Sequence, residues 1–205
     1  MGSLKMALYC VPLIQHEERS MKNILIIGAN GSLAREVIAA AERHPDLRLT
    51  LFARRPKNAA KTHRTFAGDA LNVADLTAAM AGQDVVYVNL AGDLAAMGAN
   101  IVAMKAASVR RVVAVSSIGI YDEPLRAVLR PYRALADIIE QSGLDYTILR
   151  PDWFTDADEV DYQLTPKGQP ETGGAVSRKS IAAFVCGIFA EPERYVGRNL
   201  NIAKP

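Results

Sequence analysis

The chain has 205 residues, half of them hydrophobic and 22% charged, with a net charge of +2. That length suits one domain with a sizeable core, and so slight a basic excess, with no basic stripe interleaved with aromatics, argues against nucleic acid as a partner. No apolar run approaches the roughly 20 residues a membrane span needs, and two cysteines at no metal or redox spacing, Cys10 and Cys186, suit a reducing, cytoplasmic setting.

Residues 1–20 stand apart. The apolar stretch MALYCVPLI is short, Pro12 interrupts it, and the charged QHEERS follows where a small-residue cleavage site would be, so it does not read as a secretory leader. A poorly ordered extension is expected: a cloning remnant, an upstream start or a loosely docked arm, with a functional anchor as the alternative. From Met21 onward strands and helices alternate. NILIIG (23–28) is continuous and apolar, as a strand covered on both faces should be. SLAREVIAAAERH (32–44) places Leu33, Val37, Ile38 and Ala41 on one helical face, and Pro45 stops it. LRLTLFA (47–53) and RTFAGD (64–69) read as strands, and NVADLTAAMAG (72–82) as a short helix with Asn72 as N-cap and Gly82 as stop. Then come a strand over 84–92, a helix over 94–108, a strand over 109–117, a helix over 131–143 starting at Pro131, and a strand over 144–151. Residues 152–177 turn acidic and then rich in Pro, Gly and Thr, and read as a long loop with room for a short strand pair. A last helix (177–193) and a final strand (198–203) end the chain. The pattern predicts one α/β domain over 21–205: a three-layer, doubly wound parallel sheet with helices on both faces.

GANGSLA (28–34) joins the first strand to the first helix, with Gly28, Gly31 and Ala34 spaced as G-x-x-G-x-x-A. The unpaired amides at that helix start, around Ser32 and Leu33, point outward, and the helix dipole favours an anion there. Small residues let the backbone approach a pyrophosphate and let helix and strand pack closely. Any tight turn favours Gly and Asn, but the position on the first strand of an alternating chain points to a dinucleotide.

With ILIIGANGSLAREV, LFARRP, GDALNVADLTAAMAGQDVVYVNLAG, VVAVSSIGIY and SGLDYTILRP together, residues 22–203 resemble an atypical short-chain dehydrogenase/reductase, nearest the NAD(P)H-binding, NmrA-like subgroup. The resemblance implies a Rossmann fold, a nicotinamide cofactor and a substrate site over the C-terminal edge of the sheet, with residues from about 151 to 177 on the substrate side. It places the tip of the second strand at the adenosine ribose. NAD binders commonly carry a carboxylate there, whereas this chain has Ala53-Arg54-Arg55. Two guanidiniums suit a 2′-phosphate, so NADP(H) is expected over NAD(H); a pair of solvated arginines is the alternative. Asn30 is a further candidate for the phosphates, and Asp69 either meets the adenine amino group or caps a turn. Ala91 and Gly92 would line the adenine and ribose side, and Ser116, Pro151 and Trp153 the nicotinamide side.

The catalytic reading is weaker. The family's acid–base chemistry uses a serine after the fifth strand and a Tyr with Lys four residues on, the lysine lowering the tyrosine pKa. Ser116 and Ser117 match the serine region, yet no tyrosine in the chain has lysine four residues later. Tyr132 and Tyr121 are the substitute phenols, against a packing role for each; Arg133 falls near the lysine position. Trp153 and Phe154 could stack on the nicotinamide or a flat substrate, or cover the core. The acidic run Asp152, Asp156, Asp158, Glu159 and Asp161 lacks a calcium-loop spacing and reads as solvated, and His16, His44 and His63 read as surface residues; no metal is expected. Two functions remain: an oxidoreductase acting on a small carbonyl, quinone or flavin-like compound, or a non-catalytic NADP(H) sensor contacting a protein partner. The protein would be a monomer or a homodimer.

Overall fold

A computed structural model describes residues 21–57, 62–90 and 93–205; the N-terminal extension, with Cys10 and His16, and the candidate residues Ala91 and Gly92 lie outside them. The elements are β1 (Lys22–Ile27), α1 (Ser32–Ala41), β2 (Leu47–Ala53), β3 (Arg64–Ala67), α2 (Val73–Met80), β4 (Val85–Val88) and α3 (Leu94–Ala106). There follow β5 (Arg111–Val115), α4 (Arg130–Glu140), β6 (Asp145–Pro151), β7 (Phe154–Thr155), β8 (Gln163–Pro166), β9 (Val176–Ser177), α5 (Arg178–Ala190) and β10 (Arg198–Ala203). The main sheet runs β3-β2-β1-β4-β5-β6-β10-β8. The strands from β3 to β10 are all parallel.

Period-2 alternation sorts the central strands onto two layers. Ile24, Ile26, Val85, Tyr87, Val113 and Val115 enter the layer under α1 and α5. Leu25, Ile27, Val86, Val88, Val112 and Ala114 enter the layer under α2, α3 and α4. Both faces are thus covered, which is why Ile24–Ile27 could be apolar without a break. From β1 the chain steps outward to β2 and β3, then returns to β4 on the other side of β1. That reversal opens a crevice beyond the C-terminal ends of β1 and β4, where open α/β sheets bind ligands.

The segment read as a loop contributes more than one strand pair. Gln163–Pro166 joins the main sheet as an antiparallel edge strand beside β10, so the sheet is not wholly parallel. Phe154–Thr155 and Val176–Ser177 form a separate, two-residue parallel pair. The acidic run is solvent-exposed, as expected, and carries ion pairs at the surface: Asp156 with Arg178 (2.5 Å), Asp158 with Lys179 (2.6 Å) and Glu159 with Lys204 (2.8 Å). His63 is half-buried and meets Glu42 at 2.8 Å. Among the described residues no helix is long and apolar enough to cross a membrane.

Candidate functional site

The crevice is a cleft of about 880 Å³ lined by the glycine turn (Gly28, Asn30, Gly31), the end of β2 (Phe52 to Arg55), the residues after β3 (Gly68 to Leu71), and Asn89, Leu90 and Asp93. Of the residues singled out in the sequence it brings together Gly28, Asn30, Gly31, Arg54, Arg55 and Asp69. Gly28 has φ +78°, a conformation natural to glycine. Its amide and that of Ala29 both donate to Phe52 O, at 3.1 and 3.2 Å, which seats the turn on the end of β2. Asn89, just after β4, also crowds both glycines. A Cβ at Gly28 would lie 2.9 Å from Asn89 O, and one at Gly31 would lie 2.5 Å from Asn89 Nδ2.

Helix α1 starts at this turn without a side-chain cap and with no acid in its first turn. By contrast, Asn72, Asp93 and Ser177 cap α2, α3 and α5. The first amides of α1 are therefore left for an external acceptor at the cleft floor. Ser32 is exposed at the helix start, while the Leu33 side chain is buried in the core, so only its backbone can serve the cleft.

Arg54 and Arg55 are exposed on the cleft wall, and neither forms an ion pair among the described residues. Asp69 makes an Asx turn, its Oδ1 accepting from Leu71 N at 3.0 Å, and it also lines the cleft, so the turn reading and the ligand reading are compatible. Asn30 is engaged elsewhere than expected: Nδ2 donates to Arg55 O (2.9 Å) and Oδ1 accepts from Lys57 N (3.1 Å). An uncapped helix start, two guanidiniums without an ion pair among the described residues and a small-residue floor in one cleft fit an anionic ligand carrying a diphosphate.

The second group of candidates does not line this cleft. Ser116 and Pro151 are buried at the ends of β5 and β6. The Ser116 hydroxyl donates to Tyr132 O at 3.1 Å, so the serine and the tyrosine meet through a carbonyl and not through the phenol. The Tyr132 ring packs on the apolar layer under α4. Ser117 is half-buried, and Trp153 is 81% exposed just beyond β6.

Tyr121 is held in a polar network on the α4 side of β6 and β10. Its hydroxyl accepts from Asn199 Nδ2 (2.8 Å) and lies 3.4 Å from Glu140 Oε1. Arg133, Arg150 and Lys167 stand 4.7, 5.2 and 4.6 Å from its ring centroid. A lysine thus does meet a tyrosine, but burial and the Glu140 charge outweigh the nearby cations, and the phenol pKa is raised. That is the reverse of the tuning a general base needs. Burial alone would raise the Glu140 carboxyl, but hydrogen bonds from Lys167 and Asn199 outweigh it and hold it below the usual range. Arg133 is spent on Asp137 (3.0 Å) and Ile120 O (3.2 Å). Arg150, 1% exposed, binds Glu171 at 2.6 Å and also Asn199, and Glu171 accepts from Gly119 N at 2.7 Å.

Sequence reasoning passed over Arg150, Glu171, Lys167 and the asparagines of β10. Their pairings join segments far apart in the chain, and no local period marks them.

The comparisons agree with this geometry. A family model described as NAD(P)H-binding matches residues 28–192. A Rossmann-fold NAD(P)-binding family protein from Shigella flexneri is 45% identical, with a TM-score of 0.81 over 90% of this chain and 94% of its own. A wide-type short-chain dehydrogenase/reductase from Veillonella parvula in complex with NADP is 24% identical (TM-score 0.79; 90% and 95% covered). ChuY, an anaerobilin reductase from Escherichia coli O157:H7, is 22% identical (TM-score 0.75; 90% and 98% covered). The latter two show the fold alone. No curated protein matches the chain.

Proposed function

The chain belongs to the NAD(P)H-binding family, and from that footing we propose that it is an NADP(H)-preferring oxidoreductase of the atypical short-chain dehydrogenase/reductase kind, acting on a small carbonyl, quinone or flavin-like compound. The observation that carries the cofactor preference is the pair Arg54 and Arg55, exposed on the cleft wall with no carboxylate partner among the described residues. A planar guanidinium matches a phosphate through bidentate, charge-assisted bonds. The glycine turn and the start of α1 would take the diphosphate, and Asp69 the adenine edge. When bound, the nicotinamide supplies or accepts hydride, so the protein's task is mainly to orient the reactants. Ser117 and Trp153, beyond β5 and β6, would position the substrate oxygen and cover a flat ring. A free, buried Cys186 thiol suits a cytoplasmic setting.

A second reading, a non-catalytic NADP(H) sensor of the NmrA type, is favoured by one specific observation: the hydroxyls of Ser116 and Tyr121 are both committed to structural hydrogen bonds. The partner is then a regulated protein in place of a small substrate.

The test has two steps. Arg54→Ala with Arg55→Ala is expected to weaken NADPH far more than NADH in a fluorescence titration. At roughly 1.5–3 kcal/mol for a hydrogen bond to a charged group, each lost contact costs tenfold or more; equal loss for both cofactors removes the 2′-phosphate assignment. NADPH consumption is then followed with a panel of quinones, aldehydes and flavins. Turnover supports the oxidoreductase, and tight binding without turnover across the panel supports the sensor.

A further inference from the structure

We propose that Asn30 is the positioning residue for 2′-phosphate recognition: its side-chain amide clasps the arginine-bearing turn to the glycine turn, and discrimination between NADPH and NADH depends on that clasp. The inference rests on Arg54 and Arg55 being the 2′-phosphate contacts and adds a residue that acts through them.

The turn over residues 54–57 leaves the sheet at the end of β2. Up to Ala53 it is held by backbone bonds. Phe52 O accepts from Gly28 N and Ala29 N, and Ala53 O accepts from Gly68 N at 3.1 Å. Beyond Ala53, residues 54–57 make no backbone–backbone hydrogen bond among the described residues. Their anchors there are the two atoms of one side chain: Asn30 Nδ2 donates to Arg55 O at 2.9 Å, and Asn30 Oδ1 accepts from Lys57 N at 3.1 Å. The amide thus gives one donor and takes one donor two residues apart, as a neighbouring strand would.

Arg54 and Arg55 are exposed and form no ion pair among the described residues. On an unfastened turn, an anion would have to order the backbone as well as the side chains, and that ordering cost comes out of its affinity. Fastened, the turn is pre-organised. Asn30 also lies between Gly28 and Gly31, on the floor where a diphosphate would sit. The clasp therefore sets the spacing between the two anion subsites of one ligand. Its loss penalises a ligand carrying the 2′-phosphate and spares one that lacks it. Alanine removes both bonds. Aspartate keeps the acceptor, loses the donor and adds a negative charge beside the diphosphate, so alanine is the cleaner probe.

The experiment measures dissociation constants for NADPH and NADH by calorimetry on the full chain carrying Asn30→Ala, Arg54→Ala with Arg55→Ala, and all three changes. Circular dichroism melts check that each variant is folded. Asn30→Ala alone should weaken NADPH about tenfold, the worth of one charge-assisted bond, and NADH by less than about twofold. In the double-arginine background it should add nothing, since it acts only through those side chains. Equal weakening of both cofactors by Asn30→Ala overturns the inference, as does a full additional loss in the triple variant. In either case a NADPH-selective effect of the arginine pair leaves the cofactor reading standing. If the arginine pair itself shows no selectivity, that reading fails and the clasp fails with it.

Discussion

Gly31→Ala tests whether the glycine turn is shaped by β4 as well as by a ligand. Gly31 has φ −65° and ψ 154°, extended backbone that any residue adopts. What an added Cβ would meet is Asn89 Nδ2, at 2.5 Å, so the Asn89 side chain must swing away. Asn89 Oδ1 accepts from the Tyr87 hydroxyl at 3.3 Å, the one hydrogen bond of that hydroxyl among the described residues, and Tyr87 is fully buried. Moving Asn89 leaves a buried hydroxyl unpaired, which costs about 1–3 kcal/mol. Alanine returns roughly 0.4–1 kcal/mol by narrowing the unfolded ensemble. At mid-range the net loss is about 1.3 kcal/mol, which corresponds to a Tm drop of about 3–5 °C in a chain of this size. In a Tyr87→Phe background the orphaned group no longer exists, and Gly31→Ala should be close to neutral. Urea melts followed by far-ultraviolet circular dichroism suit the measurement, because the sole tryptophan, Trp153, is exposed and reports poorly on the core. An equal loss in both backgrounds would refute the coupling through Asn89. Gly28→Ala is the contrasting control: its positive φ and its neighbours, Asn89 O at 2.9 Å and Leu90 Cδ2 at 3.0 Å, do not involve the Asn89 side chain, so Tyr87→Phe should not rescue it.

Three further outcomes are expected. Arg150→Ala should destabilise the fold by about 3–5 kcal/mol, since it strands the partly buried Glu171 carboxylate; a urea midpoint within experimental error of wild type would count against the network. The Glu140 carboxyl is held below its usual range, so it contributes stability above its unfolded pKa that disappears as pH falls through its folded value. Glu140→Gln should therefore flatten the acid side of a stability-versus-pH profile, and an unchanged slope there would contradict the assignment. In a Cys10→Ser protein, Cys186, its thiol pushed up to about 12 by burial, should resist maleimide at mildly alkaline pH until denaturant is added; rapid native labelling would show that α5 opens.

How far the chain could be read follows from how local each signal is. The unbroken apolar run Ile24–Ile27 and the helical face of Leu33, Val37 and Ala41 depend only on neighbours in sequence, and both lie where the pattern put them. The Asn72 cap was legible for the same reason. β8 was not, because a four-residue strand between an acidic stretch and a Pro- and Gly-rich one is decided by its partner β10, more than thirty residues away, as the Leu200–Pro166 register shows. The fates of Asn30, Ser116 and Tyr121 were equally hidden. Sequence identified them as polar groups near a ligand edge, but their hydrogen bonds run to Arg55 O, Tyr132 O and Asn199, partners that only tertiary packing supplies. That the Asn89 side chain crowds position 31 emerges only from the close approach of the segment after β4 to the glycine turn.

The Arg150–Glu171–Gly119 strap limits how this protein can be recombined with its relatives. Segment 152–177 could be exchanged to graft a new specificity, but an incoming piece must bring an acid to face Arg150 and reach the amide of Gly119. A chimera lacking it would inherit an uncompensated cation in the β6 layer, and should fail at the level of expression and solubility before its chemistry could be assayed.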